Sequence, residues 1–312
     1  MNCSEVPATA LLPHFAELLA VPERTLCVRV LRSGGLADSM DVLCAGTATG
    51  DRRLVALAAP VSAPEAATQA ASRTTAAAAA LGPSLGVRVQ RPIATGWTDG
   101  RSYSIFPFLH ELPSSPLRAM LVRAQLRGPV TRWLLAVAAS TASRVPCSAL
   151  PAAFERPLAA IAGADDLPRA ARQEATAAIA RLKHGAWQPT RCVMHGDLWR
   201  GNFMLPPSRE NPQRHGAAED FRVIDWAGAR LDGYPVFDLA RAAESLAFPP
   251  RVTAAALRDH CKVLQCEPRD VMGYVLAALG AIALAPGHFA RRNLVDLVHR
   301  SHCVVGHALT HS

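Results

Sequence analysis

Lysine is nearly absent from this chain. Only Lys183 and Lys262 occur, so the rest of the 33 basic side chains are arginine. Aromatic residues are also scarce, at 5%, while half of all residues are hydrophobic. The core must therefore be built from aliphatic and alanine-rich segments rather than from large rings. Charged residues stop at 19%, too few beside that apolar half for a disordered chain. Residues 271–285 form an apolar stretch of fifteen, short of the ~20 that a membrane-spanning helix needs, and read as a buried helix. None of the eight cysteines stands in a C-x-x-C pair or beside zinc-type histidine spacing, which argues against a zinc module. His299, His302, His307 and His311 follow no metal-ligand pattern. Residues 1–20 lack a basic start and carry Pro7, Pro13 and His14, unlike a secretory leader. The cysteines are accordingly expected as reduced thiols of a cytoplasmic protein with no membrane contact.

What is present is basic. The net charge is +8 with a pI near 9.4. Such a balance raises nucleic acid as a partner, yet there is no basic run, no interleaving of aromatic and basic residues, and no nucleic-acid motif. The surplus sits in residues 117–194, with ten Arg and one Lys against four acids, and is expected to be a solvated surface. No nucleic-acid partner is expected.

At 312 residues the chain suits one two-lobed enzyme or two modest domains. Residues 26–31 alternate as a strand, the turn holding Gly34-Gly35 follows, and residues 40–45 return. Gly50-Asp51 leads into a third strand, residues 54–58, whose alternation puts Leu54, Ala56 and Ala58 on one face. An alanine-rich helix spans 64–81, and two further strands flank Trp97-Thr98-Asp99-Gly100, an Asp-Gly hairpin signal. Pro113-Ser114-Ser115-Pro116 is the clearest linker, dividing a lobe of residues 1–112 from one of 117–312. The second lobe reads as helices at 117–126, after a break at Gly128-Pro129, at 158–162, at 167–183 capped by Asp165 or Asp166, and at 236–248, 254–264, 271–284 and 293–309.

The chemistry concentrates in residues 193–226. A short apolar strand enters a polar turn with His195, Asp197 and Asn202, and a later apolar run ends at Asp225. Asp197 and Asn202 lie five apart, the spacing of the kinase catalytic loop, in which the Asp takes the substrate hydroxyl proton and the Asn holds a metal. The pieces HGDLWRGNFM and VIDWAGARLDGYPVFDLAR resemble the aminoglycoside phosphotransferase and choline kinase branch of the protein-kinase-like fold.

That resemblance implies an α+β bilobal fold, with an antiparallel β lobe and a mostly helical lobe. It implies Asp197 as catalytic base, Asn202 and Asp225 as ligands of Mg²⁺, and Asp238 as a carboxylate bracing the loop. His195 is expected to fix the loop and Arg200 to reach the γ-phosphate of ATP or GTP. Gly34 and Gly35 stand where the family's phosphate loop stands, and Ala56 where a residue lies over adenine. Ala58 takes the place of the strand lysine, and no glutamate stands mid-helix in the next segment. Arg73, or Arg32, is expected to bring the missing cation. The acceptor is a small-molecule hydroxyl, and the basic helical lobe favours a neutral or anionic compound over a polycationic aminoglycoside. A pseudokinase-like nucleotide-binding protein with little transfer activity is the alternative.

Overall fold

The period-two patterns of the first hundred residues build a single antiparallel sheet. The protein is seen here as a computed structural model that describes residues 9–33, 39–47, 50, 53–207, 218–285 and 290–311. After helix α1 (Leu12–Leu19) come strands β1 (Leu26–Arg32), β2 (Asp41–Thr47) and β3 (Arg53–Ala58). Helix α2 (Ala66–Gly86) precedes β4 (Ala94–Thr98) and β5 (Arg101–Pro107), and the sheet order is β1-β2-β3-β5-β4. The β4–β5 hairpin turns on Asp99 and Gly100, both at positive φ (48° and 72°), the backbone that an Asp-Gly pair accepts most readily.

One face of this sheet is apolar. Leu43, Ala45, Leu54, Ala56, Ala58, Tyr103 and Ile105 form a core with Leu11, Phe15 and Leu19 of the α1 region. The other face meets α2, where Ser104 Oγ donates to the Ala67 carbonyl at 2.8 Å and the Thr68 amide donates to Ser102 Oγ at 3.3 Å. Alanines on α2 allow this close approach. The helix is broken at Gly82 (φ 70°), ahead of Pro83.

The chain divides into two compact units, and neither is one continuous segment. The first is Met1–Ala79, Gly86–Glu111 and Met204–Gly228; the second is Ala80–Leu85, Leu112–Phe203 and Ala229–Ser312. Strands β6 (His110–Glu111), β9 (Phe203–Leu205) and β10 (Arg222–Val223) form a small sheet in the order β10-β9-β6. Val223 is clamped between two backbone bonds, its amide to Arg88 O at 2.7 Å and its carbonyl from the Gln90 amide at 3.0 Å.

The second unit is mainly helical: α3 (Pro116–Thr141), α4 (Arg156–Ala162), α5 (Arg169–Lys183), α6 (Phe237–Ser245), α7 (Pro250–Leu264), α8 (Asp270–Leu284) and α9 (Arg291–Leu309). It also holds the sheet β11-β8-β7, from β7 (Ser143–Arg144), β8 (Thr190–Met194) and β11 (Arg230–Gly233). Helix α8 is its spine, buried from Asp270 to Gly280. Gly280 lies so close to α4 that a Cβ there would meet the Pro157 carbonyl at 1.9 Å. Phe154, Trp187 and Tyr274 pack edge to face around it, a geometry rings prefer. Tyr274 accepts the Thr190 amide at 3.0 Å, tying α8 to the start of β8. Among the described residues, no helix is long and apolar enough to cross a membrane.

Two local expectations are corrected. Helix α3 runs through Gly128 and Pro129 without stopping, because Pro129 is buried among Leu126, Val130 and Trp133 and packing outweighs its missing N–H. Neither Asp165 nor Asp166 caps α5: the N-cap is Pro168, and the two carboxylates instead pair with Arg172 and Arg291.

Candidate active site

Strand β8 delivers the chain into the polar turn. Thr190, Cys192, Val193 and Met194 are buried, and His195 follows at 1% exposure. Gly196 takes φ 88°, which a side chain would strain, and reverses the backbone. A carboxylate holds that reversal. Asp238, near the start of α6, accepts the His195 amide on Oδ2 at 2.6 Å and the Gly196 amide on Oδ1 at 3.0 Å. Burial pushes its carboxyl above the ordinary range, and these amide bonds oppose the push. Val236, two residues earlier, sits at φ 72°, an uncommon conformation for a β-branched residue.

The turn is bonded within itself. The Asp197 amide donates to His195 Nδ1 at 3.2 Å, so Nδ1 is an acceptor and the ring proton of neutral His195 lies on Nε2. Asn202 donates its side-chain amide to the Asp197 carbonyl at 2.8 Å, and its backbone amide bonds Trp199 O at 2.9 Å. These bonds fix the five-residue spacing in space and assign Oδ1 of Asn202 as the oxygen available to a cation. Leu198 is fully buried and pins the turn, whereas Arg200 is exposed.

Asp197 projects outward, its side chain 59% exposed, with Oδ1 3.2 Å from Arg241 Nη2. Arg241 also reaches Glu244 Oε2 at 2.9 Å, and Glu244 Oε1 meets Arg300 Nε at 2.7 Å. This alternating chain of charge across α6 and α9 was not foreseen from sequence. Its one sequence signal is Arg241 following Asp238 by three positions on a helix, which puts both on one face.

The other predicted residues belong to the first unit. Asp225 is exposed at φ 62°, just before the turn Trp226–Gly228. Trp226 is buried and donates Nε1 to Val223 O at 3.0 Å, anchoring that turn. Arg73 on α2 donates Nη1 to Ala227 O at 2.6 Å, so its guanidinium stands by the Asp225 segment. Arg32 ends β1 opposite Val42 and is exposed. Gly34 and Gly35 lie outside the described residues.

The expectation for Ala56 and Ala58 is corrected. Both are essentially inaccessible, at 0% and 1%, inside the core that α1 covers. Alternation did put residues 54, 56 and 58 on one face, and that face is buried in the core with Phe15 and its neighbours. The half-buried side chains of β3 are Val55 and Leu57.

Among the described residues, no group of three or more His, Cys, Asp or Glu forms a ready cation cage. The donor set that the resemblance points to is one amide oxygen and one carboxylate. The two belong to different units, and each is an oxygen donor of the kind a hard cation takes.

A five-stranded antiparallel unit, with a helical unit carrying a carboxylate-braced His-Gly-Asp turn, defines the class of protein-kinase-like phosphotransferase folds. The model of the phosphotransferase enzyme family matches residues 31–271, and the chain belongs to that family. Solved structures agree in fold. Aminoglycoside phosphotransferase APH(4)-Ia is 14% identical, with a TM-score of 0.55 over 96% of this chain and 99% of that one. A thermostable mutant of the same enzyme, in ternary complex with ADP and hygromycin B, is 13% identical with a TM-score of 0.54, over 96% of this chain and 98% of that one. A choline/ethanolamine kinase family protein from Mesorhizobium loti is 16% identical with a TM-score of 0.52, covering 96% and 97%. No curated protein matches the chain.

Proposed function

We propose that the protein transfers the γ-phosphoryl group of ATP or GTP to a hydroxyl of a small, neutral or anionic compound. The observation that carries this reading is the turn at 195–202, where Asp197 stands exposed on a backbone that Asp238, His195 and Asn202 hold rigid. In phosphoryl transfer there is little covalent chemistry for the protein, so positioning and charge stabilisation dominate. Asp197 orients the acceptor hydroxyl and takes its proton. His195 keeps the loop in place from within. Asn202 Oδ1 and Asp225 would be the ligands of Mg²⁺, which would supply positive charge against the phosphate oxygens. Arg73 and Arg200 are the cations read as facing the phosphates. The relatives support nucleotide use, since APH(4)-Ia binds ADP and AMP-PNP together with hygromycin B.

Acceptor charge is argued from Arg241. A guanidinium 3.2 Å from the base confronts any acceptor whose hydroxyl reaches Asp197, and like charges there disfavour a polycation. A cytoplasmic location accords with the seven described cysteines, all free thiols.

The second reading, a nucleotide-binding protein with little transfer, is favoured by one observation: the position of the strand lysine is a buried alanine. A transfer screen across neutral sugars, hydroxylated acids, amino alcohols and aminoglycosides tests both. Acceptor-dependent release of ADP that disappears in Asp197→Asn supports the kinase. Nucleotide binding without transfer to any acceptor supports the alternative, and best turnover on a kanamycin-like polycation overturns the charge argument.

A further inference from the structure

Helix α7 ends in a cap that brings two cysteines together. Gln265 adopts a left-handed conformation, φ 51° and ψ 46°. The Cys266 amide bonds back to Cys261 O at 3.1 Å, and the Gln265 amide to Lys262 O at 3.4 Å. These are the two reversed bonds of a Schellman motif, which packs the side chain just beyond the helix against the one a turn inside it. In most helices that contact is between two apolar groups. Here both positions are cysteine.

We infer that Cys261 and Cys266 form a redox-closing pair, converted to an intramolecular disulfide by exchange with a low-molecular-weight disulfide. A bridge needs the two Cα atoms within roughly 4.4–6.8 Å, and a backbone bond joining these same two residues holds the ends at that scale without further motion. Access is one-sided: Cys261 is 7% exposed, whereas Cys266 is half-buried at the surface. Exchange begins at the accessible sulfur. Cys266 loses its proton to solvent, and its thiolate attacks one sulfur of the small disulfide, forming a mixed disulfide at Cys266 and expelling one small thiolate. Cys261, deprotonated, then attacks the Cys266 sulfur and expels the second. The protein gives up two electrons and two protons, and the small disulfide leaves as two thiols.

Two other described cysteines mark the extremes of exposure. Cys147 is exposed and Cys192 is buried, and burial pushes the Cys192 thiol far up, the behaviour of an inert core thiol.

The test uses the full chain with oxidised glutathione, acid quenching, alkylation under denaturing conditions and peptide mapping. The expected result is a peptide joining Cys261 to Cys266 that has lost two hydrogens, while Cys147 carries glutathione singly. Dithiothreitol should restore both thiols. In Cys261→Ser the intermediate cannot resolve, so Cys266 should accumulate the glutathione adduct. The inference is overturned if both cysteines of the wild type are recovered alkylated, or if Cys266 of the wild type keeps glutathione as stably as Cys147 does.

Discussion

Arg241 holds Asp197 through Nη2, 3.2 Å from Oδ1, and with its other nitrogen holds Glu244 at 2.9 Å. Asp197, the proposed base, is thus held by a side chain 44 positions later in the chain. Arg241→Ala should lower kcat by about 10- to 100-fold with a smaller change in KM, the scale expected when a reacting group is misplaced. Arg241→Lys should recover part of the loss, because it restores the charge but not the fork. Steady-state kinetics beside a melting curve would show this. A kcat unchanged in Arg241→Ala would remove Arg241 from the site.

Asp238→Ala leaves the His195 and Gly196 amides without an acceptor in a buried turn. Each orphaned donor costs about 1–3 kcal/mol, so unfolding free energy should fall by roughly 2–6 kcal/mol. Urea denaturation measures it. A change below about 1 kcal/mol would mean that the brace contributes little.

Asp225 sits at φ 62°, a conformation in which glycine is unstrained. Asp225→Gly should therefore keep or slightly raise thermal stability while weakening Mg²⁺-dependent nucleotide binding. Calorimetry with and without Mg²⁺ separates the two effects. Identical metal dependence in variant and wild type would end the proposed ligand role.

Gly280→Ala and Gly306→Ala should move stability in opposite directions. A Cβ at 280 would collide with the Pro157 carbonyl, and such overpacking typically costs about 1–3 kcal/mol. At 306, within α9, nothing lies within 4 Å, so alanine should stabilise by about 0.5–1 kcal/mol. Paired denaturation curves check both signs.

Burial pushes the Tyr274 hydroxyl up to about 12. In the unfolded chain it titrates near 10, so the native state holds the proton more tightly between those values. That contribution is whole below about pH 10 and is lost as pH rises through about 12, roughly 2–3 kcal/mol in all. Tyr274→Phe lacks this slope. Wild type should be the more stable at neutral pH, since it keeps the Thr190 bond, and its advantage should shrink above about pH 10. A gap independent of pH would show that the hydroxyl is not held neutral by its surroundings.

Local patterns carried far into this fold. Alternation located β1 and β3, Asp99-Gly100 located a hairpin, and the resemblance of residues 190–245 led to the turn that Asp238 braces. The failures are all places where distant contacts decide. Pro129 is a helix breaker by rule, yet burial keeps α3 intact through it. Residues 165 and 166 have the composition of caps, but arginines at 172 and 291 claim them. The face of β3 was read correctly and its neighbour was not, because nothing near residue 58 announces that Phe15 will cover it. Arg241 escaped notice because an ion pair between a loop and a later helix leaves no periodic trace.

The bonds that Val223 makes with Arg88 and Gln90 also bear on how the protein is made. Arg88 Nη1 reaches Phe221 O, a residue 133 positions later. On the ribosome, strands β1 to β5 emerge long before β10 exists, so the first unit waits half-finished while the second begins to form. Loop closure over such a span is slow and leaves an incomplete intermediate exposed. A fragment cut at residue 112 should therefore be an unreliable stand-in for the first unit. One that rejoins 204–228 through a flexible linker restores the missing strands and is the piece to express.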